Sequence, residues 1–562
     1  MSQEKDQNIE LNEEINEAES VEQTETVPSI FDKPEIKEKK VRKRLPVWLT
    51  AVISVLLCAA IVVSAVYIPR LLEEDVADSS STVSQAEVTI TLTDYSKYNA
   101  TMGEVEGYGK GGVKNIVYKV GGFDFELVQG EYEQVTTDAE GNEKKEKRVG
   151  WTIINHEGIR WSETNVSGLV QNALQVTAIT KLAENVIDMS VYGLTEDKCF
   201  STLTVNFKDE SSYTVIVGNY SGDNTGRYIR FKDENTVYLS SFSFATYTSL
   251  NPEQMPALYG VGMYESNGKD SQYFSDGTLT FFDGIFLFGR KVPNPISFAQ
   301  ADTLSTYTYY TLVTPVEMAA DDTAVQSVFS LLTTGVTASE VLEFMPDEKT
   351  VKEYGLSPKT DDNHLKIMYI VDGVTYQICI GNVLEDGNYP VMINSANVIY
   401  KVAPSVFTFI DYDYTDYMRK NLFLAGIVDM KSLSYKGEGL EETFHITNIA
   451  EDAENNVYKQ TVKNSKGKAI DDKMFKEALA TFQRLQATDY DDENFGKTDK
   501  KPTLTLTVKF LDEKRPDSVI TFYEFSSRRY LYKIDGEGNA LISIGDYENV
   551  VKAAKAAIDA TI

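Results

Sequence analysis

Two short acidic runs concentrate the side chains that could bind a metal ion. They are Asp411, Asp413 and Asp416, which alternate with tyrosines, and Asp489, Asp491, Asp492 and Glu493. Several carboxylate oxygens held close together are the ligands that Ca²⁺ prefers. Neither run has the glycine and the terminal glutamate of a calcium-binding loop, so a solvated linker is the favoured interpretation. We predict no metal site.

The other groups that could do chemistry show no catalytic spacing. The histidines are His156, His364 and His445, and the cysteines are Cys58, Cys199 and Cys379. No Ser/His/Asp set, Cys/His set or zinc-ligand spacing is legible, and three cysteines are too few for a disulfide framework. We predict no cofactor and name no catalytic residue. A carboxylate pair from distant loops stays open, because 85 Asp and Glu residues make chance pairs common.

Glycines recur in two similar motifs. Tyr192-Gly193-Leu194 precedes a strand that ends at Gly218, and Tyr354-Gly355-Leu356 precedes a strand that ends at Gly381. Such a turn could contact a ligand, but a structural role is simpler. Glycine permits positive φ where a loop turns into a strand, and the flanking Tyr and Leu can pack on the core. We predict that these turns, with Gly496 in a third copy, hold each helix to its sheet.

The motifs belong to a block that occurs three times. Each copy has an apolar stripe at the i, i+3, i+4, i+7 spacing of an amphipathic helix, followed by a series of strands. The stripes are Val166, Leu169, Val170 and Ala173; Val325, Val328, Phe329 and Leu332; and Phe475, Ala478, Leu479 and Phe482. The expected N-caps are Thr164, then Asp321 or Asp322, then Asp471 or Asp472. Copies about 150 residues apart match the usual length of a domain.

One apolar segment, residues 45–68 from Leu45 to Ile68, contains no charged residue. It is long enough to cross a bilayer as a helix. Lysines and arginines crowd its N-terminal side and acidic residues follow it, so the N-terminus is predicted to be cytoplasmic and the C-terminal part extracytoplasmic. A cleaved signal peptide is the competing interpretation; the apolar region is too long and follows a long polar segment. We predict a single-pass protein of the cell membrane.

The fold class that follows is α+β, with a single N-terminal transmembrane helix and about three repeated units of mostly antiparallel sheet. A sheet with one apolar face needs a cover, which the stripe helix supplies. The predicted divisions are a disordered cytoplasmic tail (1–44), the transmembrane helix (45–68), a stalk (69–86), and units at 87–250, 251–415 and 416–562, the last degenerate. The formal net charge of −31 argues against nucleic acid as a partner, because binding there depends on neutralising phosphates.

The repeated motifs resemble the family called domain of unknown function 4340. They are Trp151-Thr152-Ile153, Tyr192-Gly193-Leu194, Val217-Gly218, Tyr228 and Val237-Tyr238, and again Tyr354-Gly355-Leu356, Ile380-Gly381, Tyr389 and Ile399-Tyr400. The resemblance covers about residues 115–410, with a degraded third copy to 562. The second copy has Tyr310-Thr311-Leu312 in place of the Trp motif, and the third lacks the Leu after Gly496. The family has no assigned activity, so no catalytic residue is carried over.

The resemblance implies a bacterial membrane protein that is often encoded beside ABC transporter subunits of the gliding-motility type. The predicted function is a membrane-anchored, extracytoplasmic, non-enzymatic accessory or scaffold module that binds a protein partner in the membrane or envelope, such as an ABC transporter complex. Two alternatives stay open. One is a protein that binds an envelope glycan or another small ligand, and the other is a hydrolase with a carboxylate pair.

Overall fold

The computed structural model describes most of the chain after residue 88. The described residues are 89–99, 112–137, 143–262, 274–275, 278–279, 282–301, 308–371, 373–394, 396–452 and 457–562. The predicted tail, transmembrane helix and stalk lie outside the described residues. Within the described part of the chain, no helix is both long and apolar enough to cross a membrane. Residues Glu87–Ile562 form one compact unit.

The first sheet has nine strands, and every neighbouring pair is antiparallel. The strands are β1 (Ile90–Thr91), β2 (Val113–Val120), β3 (Phe123–Thr137), β4 (Glu143–Ile153), β5 (Thr177–Ala183), β6 (Ser201–Phe207), β7 (Ser212–Tyr220), β8 (Arg227–Phe231) and β9 (Val237–Ser240). Their order is β1-β5-β9-β8-β7-β6-β2-β3-β4. Helix α1 (Glu163–Leu174) lies between β4 and β5 in the chain, and α2 (Phe242–Thr248) follows β9.

A two-stranded hairpin, β10 (Phe274–Ser275) and β11 (Thr278–Leu279), precedes the second sheet. The strands of that sheet are β12 (Gly284–Phe288), β13 (Ile296–Gln300), β14 (Tyr310–Thr314), β15 (Met318–Ala319), β16 (Glu340–Phe344), β17 (Leu365–Val371), β18 (Val374–Ile380), β19 (Tyr389–Ile393) and β20 (Val398–Val402). Their order is β15-β14-β13-β12-β17-β18-β19-β20-β16. Helix α3 (Asp322–Thr334) precedes β16, and α4 (Glu348–Glu353) follows it.

The third sheet has eight strands in the order β23-β22-β21-β25-β26-β27-β28-β24. They are β21 (Met430–Gly437), β22 (Leu440–Asp452), β23 (Val457–Lys463), β24 (Asp489–Tyr490), β25 (Leu504–Phe510), β26 (Ser518–Ser526), β27 (Arg529–Ile534) and β28 (Glu537–Ser543). Helix α5 (Asp472–Gln483) precedes β24 and α6 (Ile544–Asp559) follows β28. Short 3-10 helices span Ser96–Tyr98, Met189–Tyr192, Pro252–Gln254, Pro404–Val406, Tyr414–Tyr417 and Ile427–Asp429.

The three sheets share one connectivity. Apart from the additional edge strands β1 and β15, each sheet has a meander of three strands, followed by the stripe helix, a short strand and a meander of four strands. The first strands of the two meanders pair in every sheet: β2 with β6, β12 with β17, and β21 with β25. The short strand pairs with the last one: β5 with β9, β16 with β20, and β24 with β28. The predicted strand-rich α+β fold with antiparallel sheets is confirmed, whereas the division into domains stays a prediction.

The stripe helices cover the sheets as their spacing predicts. All twelve stripe residues are buried in one continuous core that runs through the three sheets. Asp321 caps α3 and Asp471 caps α5, each accepting hydrogen bonds from two backbone N–H groups. The predicted cap of α1, Thr164, is wrong. The helix begins at Glu163, so the Ser162 hydroxyl is the side chain placed to accept from Asn165 N.

Candidate functional site

The Tyr-Gly-Leu motifs end short helices. After the 3-10 helix Met189–Tyr192, Gly193 has φ 68°, and Leu194 N donates to Met189 O at 3.0 Å. After α4, Gly355 has φ 70°, and Leu356 N donates to Val351 O at 3.1 Å. A left-handed glycine followed by this backward hydrogen bond is the Schellman ending of a helix. The glycines therefore have a local conformational role.

The motifs lie on the sheet face opposite the stripe helix. Leu194 packs with Met189, Ile216 and Val237 in a small cluster separate from the main core. Ile216 stands between Val215 and Val217 on β7, and both of those face the main core. Because successive side chains of a strand point to opposite faces, the turn covers the second face of the sheet. We had expected the turn to join the stripe helix to the sheet, and this expectation is wrong.

The second copy repeats this arrangement. Leu356 packs with Cys379, Met392 and Ile399, again apart from the main core, and Tyr354 packs against them. Burial raises the pKa of the Cys379 thiol to about 11, and that of the half-buried Cys199 in the first copy is raised as well. Both thiols are free. A raised pKa keeps them protonated near neutrality, which suits packing rather than nucleophilic chemistry.

The third copy uses its glycine differently. Gly496 has φ 75°, and its N–H donates to the buried carboxylate of Asp491 at 3.1 Å. A Cβ at Gly496 would overlap the carbonyl oxygen of Gly538 at the start of β28. Phe495 packs on Tyr414 and against the main core. The turn of the third copy therefore packs on β28, whereas the turns of the first two copies pack beside the ends of β7 and β18.

The first acidic run is engaged in local contacts. Asp411 forms an ion pair with Lys291 at 2.8 Å, which lowers the pKa of the Asp411 carboxyl. Asp413 caps the 3-10 helix Tyr414–Tyr417 by accepting from Thr415 N at 2.7 Å, and Asp416 accepts from Asp413 N at 3.0 Å. These carboxylates stabilise a turn and an ion pair.

The second acidic run is engaged in the same way. Asp489 pairs with Arg529, and Asp492 accepts a hydrogen bond from the Tyr414 hydroxyl. Asp491 accepts from the N–H groups of Asn494 and Gly496. Throughout the described ranges, no group of three or more His, Cys, Asp or Glu side chains is arranged to hold a metal ion.

A cleft lies where the first sheet's unit meets the second. It has a volume of about 730 Å³. Three chain segments form it: residues 160–165 at the start of α1, residues 253–259, and Glu340 and Val341 of β16. Ligand sites in proteins are commonly clefts of about 300–1,000 Å³ at the meeting point of structural units. This cleft is our candidate site.

Backbone hydrogen bonds fix the cleft's segments to one another. Ser162 N donates to Met255 O at 3.0 Å, and Ala257 N donates to Arg160 O at 2.8 Å. Ala338 N, just before β16, donates to Leu258 O at 2.7 Å. The segment around residue 257 is therefore joined by backbone hydrogen bonds both to residues 160–162 and to the start of β16.

An aromatic cluster stabilises the junction beneath the cleft. Phe344 of β16 is buried and packs against Phe123, Phe125, His156 and Trp161 of the first unit, with ring centroids 5.1–6.4 Å apart. Such ring pairs add stability beyond the area that they bury. The Trp161 ring thus belongs to the junction on one side and lines the cleft on the other.

The polar lining of the cleft mixes acceptors and donors. Glu163, Glu253 and Glu340 supply carboxylates, and Arg160 is the cation of the lining. The Arg160 guanidinium also donates to Gly260 O at 3.4 Å. Asn165 Nδ2 donates to Gln254 O at 2.7 Å, which holds the α1 end against the segment opposite.

Glu340 belongs to an ion-pair network at the cleft's edge. Lys401 lies 2.9 Å from Glu340 and 2.5 Å from Asp386. Hydrogen bonds to Asp386 first and Glu340 second raise the pKa of Lys401 to about 12, and Lys401 in turn lowers the pKa of Asp386 to about 2. The network keeps Lys401 and Asp386 charged near neutral pH.

Tyr259 is the exposed aromatic of the cleft, with 73% of its surface accessible. Neither it nor Arg160 was predicted from the sequence as a site residue. Pairing of residues 255–257 with residues 160–162 brings these segments together, and a contact across nearly a hundred positions leaves no local pattern.

The folding pattern and the motif positions define a strand-rich α+β protein built on antiparallel sheets. Residues 151–255 match the family described as Domain of unknown function (DUF4340), which confirms the resemblance over that segment. The wider extent to residue 410 and the third copy stay predictions. No curated protein and no solved structure matches the chain.

Proposed function

We propose that this protein is a membrane-anchored, extracytoplasmic, non-enzymatic scaffold that binds a protein partner. Residues 45–68 are the anchor, with the N-terminus in the cytoplasm, and three repeated units form the extracytoplasmic part. The family resemblance implies a place beside an ABC transporter complex, which is the partner we propose.

The observation that carries the proposal is a two-stranded ribbon formed by the outer parts of β3 and β4. β3 pairs with β2 only from Phe123 to Leu127, but it pairs with β4 as far as Thr137↔Glu143. Within the described residues, no further strand pairs with either outer edge of this ribbon. Unpaired strand edges offer backbone hydrogen bonds to another chain, which is how strand addition captures a partner.

The composition of the ribbon also favours a binding role. The segment Glu143-Lys144-Lys145-Glu146-Lys147-Arg148 is basic, in a chain whose formal net charge is −31. Charged residues on an edge strand discourage pairing with the wrong partner. A basic ribbon on an acidic protein would also steer acidic partner surfaces toward it.

Affinity purification from mildly solubilised membranes tests the proposal. The informative variant replaces residues 132–148 with Asn-Gly, which joins the paired residues Glu131 and Val149 through a two-residue turn. The matched control shortens the third sheet's hairpin by joining the paired residues Ile449 and Lys459 in the same way.

We expect native chain and control to recover the transporter subunits and the shortened ribbon to lose them. Recovery of the chain alone, or equal recovery with the shortened ribbon, would contradict the proposal.

The cleft favours a second candidate function, the binding of an envelope glycan. Such a function requires a concavity between units that is lined by an exposed aromatic residue, and the cleft with Tyr259 has both properties. No described feature favours the third alternative, a hydrolase with a carboxylate pair.

A further inference from the structure

We infer that the cleft between the first two units is a binding site for a neutral or amino-sugar oligosaccharide, with Tyr259 as the stacking platform. The inference rests on the second candidate function and is independent of the ribbon. It assigns the site to named residues and restricts the class of sugar.

Tyr259 is the first reason. A large aromatic ring that is 73% exposed leaves apolar surface in water. The ring stands at a cleft that another aromatic, Trp161, also lines. The apolar C–H face of a pyranose ring covers an aromatic face of this kind while its hydroxyls stay available for hydrogen bonds. An extended peptide would instead look for a strand edge, and the cleft's backbone segments are already paired with one another.

The polar lining is the second reason. A sugar hydroxyl both donates and accepts hydrogen bonds. The Glu253 carboxylate can accept from such a hydroxyl, and the Arg160 guanidinium can donate to one. Both belong to segments that backbone hydrogen bonds hold in place. A preformed site avoids the loss of conformational entropy that ordering a loop would cost.

The charge balance restricts the class of sugar. The lining has three carboxylates against one guanidinium. Lys401 offsets Glu340, but Glu163 and Glu253 still leave the cleft negative. Like charges repel most strongly where water is partly excluded. Neutral and amine-bearing sugars are therefore favoured, and polyuronates or phosphate-bearing glycans are disfavoured.

The test is calorimetric titration of the full chain in a detergent that has no sugar headgroup. The probes are the tetramer of N-acetylglucosamine, the tetramer of glucosamine and the tetramer of galacturonic acid. We expect binding of at least one of the first two and none of the third. Tyr259→Ala should weaken binding at least tenfold. The matched control is Tyr309→Ala, which removes an aromatic of similar exposure, 63%, far along the chain, and should leave affinity unchanged.

A separate readout uses the cleft's tryptophan. Binding should change the intrinsic fluorescence of the native chain, and Trp161→Phe should abolish the change while keeping a ring in the junction cluster. The site is overturned if neither neutral nor amino-sugar tetramer binds, if the polyuronate binds equally well, or if Tyr259→Ala and Tyr309→Ala behave alike. Loss of glycan binding with intact partner recovery would reject this site alone, and the reverse result would reject the scaffold alone.

Discussion

Gly218, two residues before the end of strand β7, lies directly against the carbonyl oxygen of Tyr192. A Cβ at Gly218 would overlap that oxygen and also meet the Leu194 side chain. Gly381 stands in the same relationship to Tyr354 in the second copy. Neither Gly218 nor Gly381 has a positive φ, in contrast to Gly193 and Gly355. Close packing of the Tyr-Gly-Leu turn on the strand, rather than backbone conformation, therefore requires glycine at these two positions.

This packing predicts that Gly218→Ala destabilises the fold. The added methyl group would push the turn away from the strand, at a cost of about 1–3 kcal/mol in the free energy of unfolding, the range seen for overpacked sites. Gly222→Ala is the matched control, since a Cβ at Gly222 meets nothing within 4 Å. Urea unfolding of both variants checks the prediction. Equal midpoints for the two variants would show that the turn can move away from the strand without loss of stability.

Two fully buried tyrosines should respond oppositely to loss of the hydroxyl group. The Tyr369 hydroxyl donates to Val328 O of α3 at 2.7 Å. The Tyr435 hydroxyl is buried and has no hydrogen-bond partner among the described residues. Tyr369→Phe should cost about 1 kcal/mol because a buried hydrogen bond is lost, whereas Tyr435→Phe should be neutral or stabilising. Urea unfolding compares the two. Destabilisation by Tyr435→Phe of the same size would mean that its hydroxyl is hydrogen-bonded in solution.

The junction cluster should be the most sensitive contact between the first two units. Phe344→Ala removes a buried ring from among four aromatic partners and should cost about 3–5 kcal/mol. The control is Phe242→Ala at the start of α2, where the ring is 67% exposed. Limited proteolysis should cut Phe344→Ala near residue 257 faster than the native chain. An unchanged cleavage rate would show that backbone pairing alone holds the junction.

Much of the architecture could be predicted because it depends on local periodicity. The stripe around Leu169 has the helical period, and strands such as β25 alternate buried and half-exposed residues along their whole length. The strand after each stripe helix was not predicted. In the third copy this strand, β24, spans two residues and has no alternation to detect. It is defined by its partner β28, about fifty residues later.

The face on which a motif packs could not be predicted from its residues either. Tyr192-Gly193-Leu194 shows that a turn exists, but the phase of β7 decides which sheet face Ile216 presents to it. Likewise, Tyr259 has no sequence signal as a cleft residue, because the cleft exists only once residue 257 pairs with residue 160. Long-range pairing therefore determined both features that the sequence left open.

The free energy of unfolding should decrease as the pH is lowered, because His364 then takes up a proton. Burial first, and then the neighbouring charges of Lys291 and Arg290, lower the pKa of His364 below its ordinary value of 6.5. The folded state therefore favours the neutral imidazole, and the unfolded state binds more protons between the two pKa values. The contribution of His364 is complete above the unfolded pKa and is lost as the pH falls through the folded pKa.

His364→Gln cannot titrate and should remove this dependence. Between about pH 7.5 and about pH 5.5, we expect the midpoint temperature of unfolding to decrease more for the native chain than for the variant. This window lies above the range in which most carboxylates protonate. Thermal unfolding at both pH values, in matched salt, measures the difference. If the two proteins lost the same amount, the imidazole would be protonated equally in the folded and unfolded states, and the two neighbouring cations would have to be screened by solvent.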